Sequence, residues 1–203
     1  MGEKDRPNQA DKAWQEFLDP DVLKPKVMLA GVYLSTFDLL QAAIEDRLKD
    51  FFTNGWTDKD GFIVDEEYTT AVLKRNRSPL HASLDWLREN GVIEDADLKT
   101  YDRIKDTRNK LAHEMFSFLA GGTLLPELLG RLGEASNLLK KIERWWIVNV
   151  EVPTNPSHDG QEIRDEDVVS MSEVLMKALM DVALGSEAES NQYIRAFRAN
   201  KNV

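Results

Sequence analysis

Cysteine is absent from this chain of 203 residues. Disulfides, thiolate metal sites and a cysteine nucleophile are thereby excluded together. The absence also suits a reducing compartment, and the cytoplasm is the expected location. Histidine is scarce: only His81, His113 and His158 are present, and no two have ligand spacing, so no metal is expected. There is no phosphate-binding glycine loop, nucleophile elbow or dinucleotide fingerprint, and no cofactor is expected either. No run approaches the roughly 20 apolar residues that cross a bilayer. Residues 1–11 are polar and mixed in charge, unlike a secretory signal, so no membrane association is expected. The amphipathic stretch 167–184 has an acidic polar face, which disfavours a membrane surface. A basic surplus is missing as well. With a formal net charge of -10, the chain repels phosphate backbones at long range, which excludes a generic nucleic-acid coat.

What is present is a globular composition, 42% hydrophobic and 31% charged, long enough for one well-buried domain. The organisation reads as a polar segment over 1–20, a helical domain over 21–185 and a polar, mobile tail over 186–203. A short helix over 13–18 ends at Asp19-Pro20. Residues 25–52 carry an apolar stripe at helical spacing, from Met28 and Leu29 through Leu40 and Ile44 to Phe51 and Phe52. Pro25 suits its first turn and Asn54-Gly55 its end. Residues 57–65 form a turn-rich insertion with a strand-like Phe62-Ile63-Val64, and 68–74 one or two helical turns. Ser78-Pro79 caps a helix that ends at Asn90-Gly91. Asp95 or Asp97 opens the next, which runs to about Leu119 and closes at Gly121-Gly122. A strong helix follows over 124–147, then a strand or extended arm over 148–152, a loop over 155–161 and a last helix over 167–184. The expected class is all-α: an up-and-down helical bundle with a short β-like insertion.

The helix over 98–119 carries most of the chemistry. Tyr101, Ile104, Leu111, Met115 and Leu119 share one face, and Arg108 falls in the middle of that stripe. A guanidinium there must pair with a carboxylate, stack on an aromatic ring or reach across an interface. Asp102, Asp106, Asn109 and His113 fall together on another side, with Asn109 and His113 one turn apart. Basic residues concentrate locally in Lys99, Arg103, Lys105, Arg108 and Lys110, against Asp102, Asp106 and Glu114. Lys74, Arg75 and Arg77 make a second small cluster. A local RNA contact through Arg103, Lys105 and Lys110 is compatible with the otherwise acidic surface. On helix geometry alone, a solvated acidic face and a hydrogen-bonded surface histidine explain the same residues.

Arg108-Asn109-Lys110-Leu111-Ala112-His113 resembles the signature of the HEPN domain family: an arginine, four to six positions of which the first is usually polar, then histidine. The surroundings are similar too, with a helix ending at Gly91-Val92-Ile93, an acidic turn and a long helix bearing the motif. The resemblance covers about residues 25–119, and the helix to 147 in outline. It implies a helical bundle acting as a homodimer, and metal-independent RNA cleavage at a site shared by two subunits. His113 would be general base or acid, helped by histidine's ordinary pKa of ~6.5. Arg108 would clamp the phosphate and Asn109 would orient it. The products would carry a 2′,3′-cyclic phosphate and a 5′-hydroxyl, as in toxin–antitoxin or antiviral systems with a cognate antitoxin or regulatory partner. Many such toxins have a tyrosine two residues after the histidine; here that residue is Met115. Residues 32–52 and 78–114 also resemble the mannitol operon repressor family, which implies a non-enzymatic regulator.

Elsewhere, residues 56–67 are similar to a calcium-binding loop, with Asp58, Asp60, Ile63 and Glu67 at ligand positions, but Trp56 stands where the first aspartate is required. A tight Asp-Gly turn explains them equally. His158-Asp159 lies between Pro156 and Gly160 and reads as a turn. Of adjacent Trp145 and Trp146, one is expected inside and one facing outward.

Overall fold

In a computed structural model, which describes residues 9–121, 125–158, 163–164 and 167–201, helices begin where capping chemistry starts them. Helix α1 spans Gln9–Leu18, and Asp19 then caps α2 (Pro20–Phe51), its carboxylate accepting the Asp21 N–H at 2.9 Å. Proline at the first position is Pro20, not Pro25, which lies inside the helix. The carbonyl that Pro25 leaves without a donor is that of Asp21, an exposed residue in the first turn, so water can serve it. Ser78 caps α3 (Pro79–Glu89), and Gly91 ends it at φ +72, a conformation that costs other residues more than glycine. Glu94 and Asp97 cap α4 (Asp95–Leu119) reciprocally. Helix α5 covers Leu125–Trp146. The expected closure at Gly121-Gly122 and start at Leu124 lie partly outside the described residues.

The fold is mostly helical, with one two-stranded antiparallel hairpin inserted after α2. Asn54-Gly55, expected to stop α2, lie in strand β1 (Thr53–Thr57), which pairs with β2 (Gly61–Val64). A wide helical turn (Tyr68–Val72) and a tight one (Leu73–Arg75) lead into α3. The expected strand over 148–152 is instead helical. α5 continues without a break into a wide turn, Ile147–Glu151, and the single turn α6, Val152–Thr154. The β-branched residues have no strand to pair with there, and strand propensity yields to context. The last expected helix starts later, as α7 (Met171–Leu184), because Ser170 and Glu173 form a capping box. The segment from Ser186, expected as a mobile tail, is helix α8 (Glu187–Lys201). It folds back on α7, Tyr193 Oη donating to Asp181 at 2.7 Å.

Helix α2 is the spine, packed against α3, α4, α5 and α7. Tyr33, Leu40, Ile44 and Leu48 of α2, Ile104 and Leu111 of α4, and Leu128 and Ile142 of α5 are all at 0% exposure. By length and composition α2 could cross a membrane, contrary to the reading of the sequence, and half of that stretch is buried by the other helices. Met28 and Phe51, expected on its buried stripe, are about half exposed. At the far end Trp86 and Trp146 stack, 6.1 Å apart and 3° from parallel. Trp146 is buried and Trp145 half-buried, as expected of the pair. Helix α1 is latched by Lys26–Glu16 (2.9 Å) and by Phe17 against Phe116 of α4, 5.3 Å between ring centres.

Candidate functional site

Helix α4 lies between two neighbours of different chemistry. Towards α2 it meets rings: Tyr33 Oη donates to the Ile104 carbonyl at 2.7 Å, and Phe37 stacks on Tyr101 at 6.3 Å. Burial raises the Tyr33 and Tyr101 phenols well above their ordinary range, so both stay neutral. Towards α5 it meets charge. Thr107 Oγ1 donates to Glu127 at 3.0 Å and Lys110 Nζ at 3.2 Å, while Arg103 approaches Glu134 at 3.5 Å. Arg131 of α5 pairs with the same Glu134 at 2.5 Å.

Arg108 is on the α2 side. Its guanidinium carbon is 5.8 Å from the centre of the Phe37 ring, so of the three options open to it, it stacks. That contact is worth about 0.5–2 kcal/mol. Its Nε–H is shielded from water and has no acceptor, which costs about 1–3 kcal/mol. The two effects are comparable, so this guanidinium is held in place but left unsatisfied.

His113 is exposed and lines a cleft of about 530 Å³ between α4 and α5, with Asn109, Asp106 and Lys110 beside it and Glu127 and Arg131 opposite. The Thr107 hydroxyl and then the Lys110 ammonium hold the Glu127 carboxyl below its ordinary pKa. Glu134 pushes the Arg131 guanidinium further up. Both groups are therefore firmly charged, and the imidazole shares its cleft with cations that could meet a phosphate. One residue later α4 kinks: Glu114 takes φ −113 and ψ 16, close to the bridge region where active-site residues recur. The sequence has no proline or glycine there to announce it.

Of the residues singled out from the sequence, the structure brings together Asn109, His113, Asp106, Arg103 and Lys110. It does not bring Arg108 or Lys105 into that cleft, nor Asp102. Arg108 and His113 are about 140° apart around the helix at ~100° per residue, so one chain does not aim both at one point. The sequence reading missed Glu127, Arg131 and Glu134, whose spacing of four and three puts charge along one side of the first half of α5.

The other candidates have local roles. The His81 ring bonds Ser78 Oγ at 3.1 Å. Asp58 and Asp60 sit in the hairpin turn, where the Asp60 N–H donates to Thr57 Oγ1 at 3.0 Å. Asp65 accepts from the Glu67 N–H and from Asn54, each at 2.7 Å, and these bonds lower its pKa. Among the described residues no group of three or more histidine, aspartate or glutamate side chains is placed to hold a metal ion. His158 lies in a short helical turn, and Asp159 lies outside the described residues. Arg75, of the second basic cluster, pairs with Glu89. Compared with protein-family models, curated proteins and solved structures, this chain matches none.

Proposed function

We propose that this protein is a metal-independent endoribonuclease of the HEPN type, a helical bundle working as a homodimer in the cytoplasm. The observation that carries the reading is an exposed imidazole, His113, sharing a solvent-open cleft with Asn109 and the cations Arg103, Lys110 and Arg131. A base takes the proton from a ribose 2′-hydroxyl, that oxygen attacks phosphorus, and the departing 5′-oxygen takes a proton from an acid. One chain supplies one histidine at this face, so two copies are needed for both proton transfers. Arg108, half-buried on the α2 side of α4, would in such a dimer reach the partner's half of the site.

Two features of this face suit a second copy. Ala112, between Arg108 and His113, is small and exposed, which lets two helices approach. Phe116, one turn further on, is 66% exposed beside Trp14 at 58%, an apolar surface that a partner would cover. Lys105 lies between Arg108 and Asn109 around the helix and would face RNA from the dimer's rim. A toxin or antiviral role, with a cognate antitoxin or regulator, belongs to the same proposal.

A second reading has its own support. Lys110, Arg103 and Arg131 are each engaged by Glu127 or Glu134, and Arg108 is stacked on Phe37, so each cation lining the His113 cleft, and Arg108 as well, has a structural task. That favours a regulatory or binding protein on the same scaffold, of the mannitol-repressor kind. One experiment separates the two. Mixed RNA is incubated with the protein in EDTA, and dimerisation is followed by sedimentation. Cleavage to cyclic-phosphate ends, lost in His113→Ala and Arg108→Ala, is expected. A folded dimer that cuts none of several RNAs, or a protein monomeric at micromolar concentration, would overturn the nuclease.

A further inference from the structure

A second cleft opens at the other end of α5, where the Gly91 turn meets the helix and its continuation. It measures about 430 Å³, in the range of small-molecule sites. Lys140, Lys141, Arg144, Trp145, Asn137 and Asn149 line it, and no carboxylate does. In a chain of net charge -10 that is unusual. The His113 cleft holds Asp106, Glu114 and Glu127, and the groove between α5 and α7 holds Glu173 and Asp181.

The three cations are not equivalent. Lys140 bonds Glu173 at 2.6 Å, and Lys141 bonds Asp97 at 2.6 Å and Glu94 at 3.4 Å, so their fields are partly cancelled. Asp97 also raises the Lys141 pKa, so it stays charged. Arg144 is different. It has no ion pair among the described residues, and its Nε–H is shielded from solvent without an acceptor. The buried Nε is out of a ligand's reach, but the side chain lines the cleft and its terminal N–H groups have no carboxylate partner among the described residues, and a planar guanidinium suits phosphate.

Trp145 is the second element. Its ring stands edge-on to Trp86 (6.5 Å, 88°) and Trp146 (5.1 Å, 86°), which are themselves stacked. That packing fixes the indole, so a flat ligand would stack on it at little cost in side-chain entropy. Asn149 Nδ2 is spent on the Trp145 carbonyl at 2.9 Å, which leaves its amide oxygen as an acceptor at the rim. Guanidinium, ammonium, indole and carboxamide in one cleft match a ligand with a phosphate and a hydrogen-bonding planar ring.

We infer that this cleft binds a nucleoside phosphate, either a free nucleotide or one unit of an RNA strand. The inference stands without the ribonuclease reading, since binding here involves neither Arg108 nor His113. Where RNA is the source, Arg131 and Arg144 are roughly 20 Å apart along one helix at ~1.5 Å per residue but about 140° apart around it at ~100° per residue, so a strand touching both would have to wrap around α5.

The test is equilibrium dialysis of the full chain against labelled AMP and, separately, labelled hexa-adenylate, at low and high salt. Salt-dependent binding is expected, weakened at least tenfold in Arg144→Gln and several-fold in Lys140→Gln, and unchanged in Lys12→Gln, an exposed position on α1. AMP binding as tightly as the hexamer identifies a free-nucleotide site; a clear preference for the hexamer identifies an RNA subsite. Thermal melts establish that each variant is folded. If Arg144→Gln fails to fold, Asn149→Ala, an exposed position, takes its place with a several-fold loss expected. Absence of binding by either probe at millimolar concentration overturns the inference. Equal binding by wild type and folded Arg144→Gln, or by Asn149→Ala in its place, also does.

Discussion

Arg108 and His113 are five residues apart on one helix, yet they inhabit different media. Arg108 lies against the aromatic side of α2, half-buried over Phe37, with a shielded N–H and no acceptor. His113 stands exposed in a cleft whose far wall is the charged side of α5. The helix itself supplies only the angle between them. What each side chain experiences is decided by the neighbour it faces, so one motif contains a fixed, half-buried cation and an exposed imidazole. If both act in chemistry, they do so under different constraints: substitution of His113 should touch activity alone, and substitution of Arg108 should touch activity and packing together.

The comparison can be broken at its sharpest point first. His113→Ala should lower RNA cleavage by about 10²–10⁴-fold, the usual worth of a general acid or base, with no change in melting temperature. A melting temperature that falls with it would mean the imidazole is structural after all. Phe37→Ala removes a ring at 6% exposure that supports both Arg108 and Tyr101. It should cost about 3–5 kcal/mol in chemical denaturation, far more than any change in the His113 cleft. Arg108→Met keeps most of the volume over Phe37 and removes the orphaned donor. Stability should stay within about 1 kcal/mol of wild type while cleavage is lost; retained cleavage would make Arg108 a packing residue.

The smallest effect concerns Glu127. Its folded pKa is depressed by the Thr107 hydroxyl and the Lys110 ammonium, so its contribution is present above the ordinary carboxylate range. It fades as pH falls through the lower, folded value. Urea midpoints measured between about pH 3 and 6 should therefore drop less steeply on acidification in Glu127→Gln than in wild type. At 37% side-chain exposure this pair is screened, so the difference should be slight.

Much of the fold was legible because it is written locally. Ser78-Pro79 marks a helix start wherever it occurs, and the apolar spacing of α5 needs no partner to be read. Arg108 on an apolar stripe was likewise a local contradiction, and stacking on Phe37 answers it only in part, since its Nε–H keeps no acceptor. What escaped was non-local. Residues 148–152 look like a strand by composition, but among the described residues the strands pair only with each other, and this segment continues α5 as helical turns. The polar α8 lacks a strong apolar stripe, and it is held largely by Ser190, Gln192 and Tyr193 bonding to Asp181 and its backbone. The far wall of the His113 cleft comes from Glu127 and Arg131, which no feature of α4 foretells. The kink at Glu114 has no breaker residue beside it in the sequence.

The hairpin has a consequence of another kind. The Asp65 N–H donates to the Phe52 carbonyl at 2.8 Å, so the chain leaves the body and returns to it at nearly the same point. Its tip residues Trp56 and Phe62 are 59% and 75% exposed, and β1 and β2 pair only with each other. Such a detour is a natural graft point: a longer loop, a fluorescent tag or an entire foreign domain could replace it without moving the helices on either side.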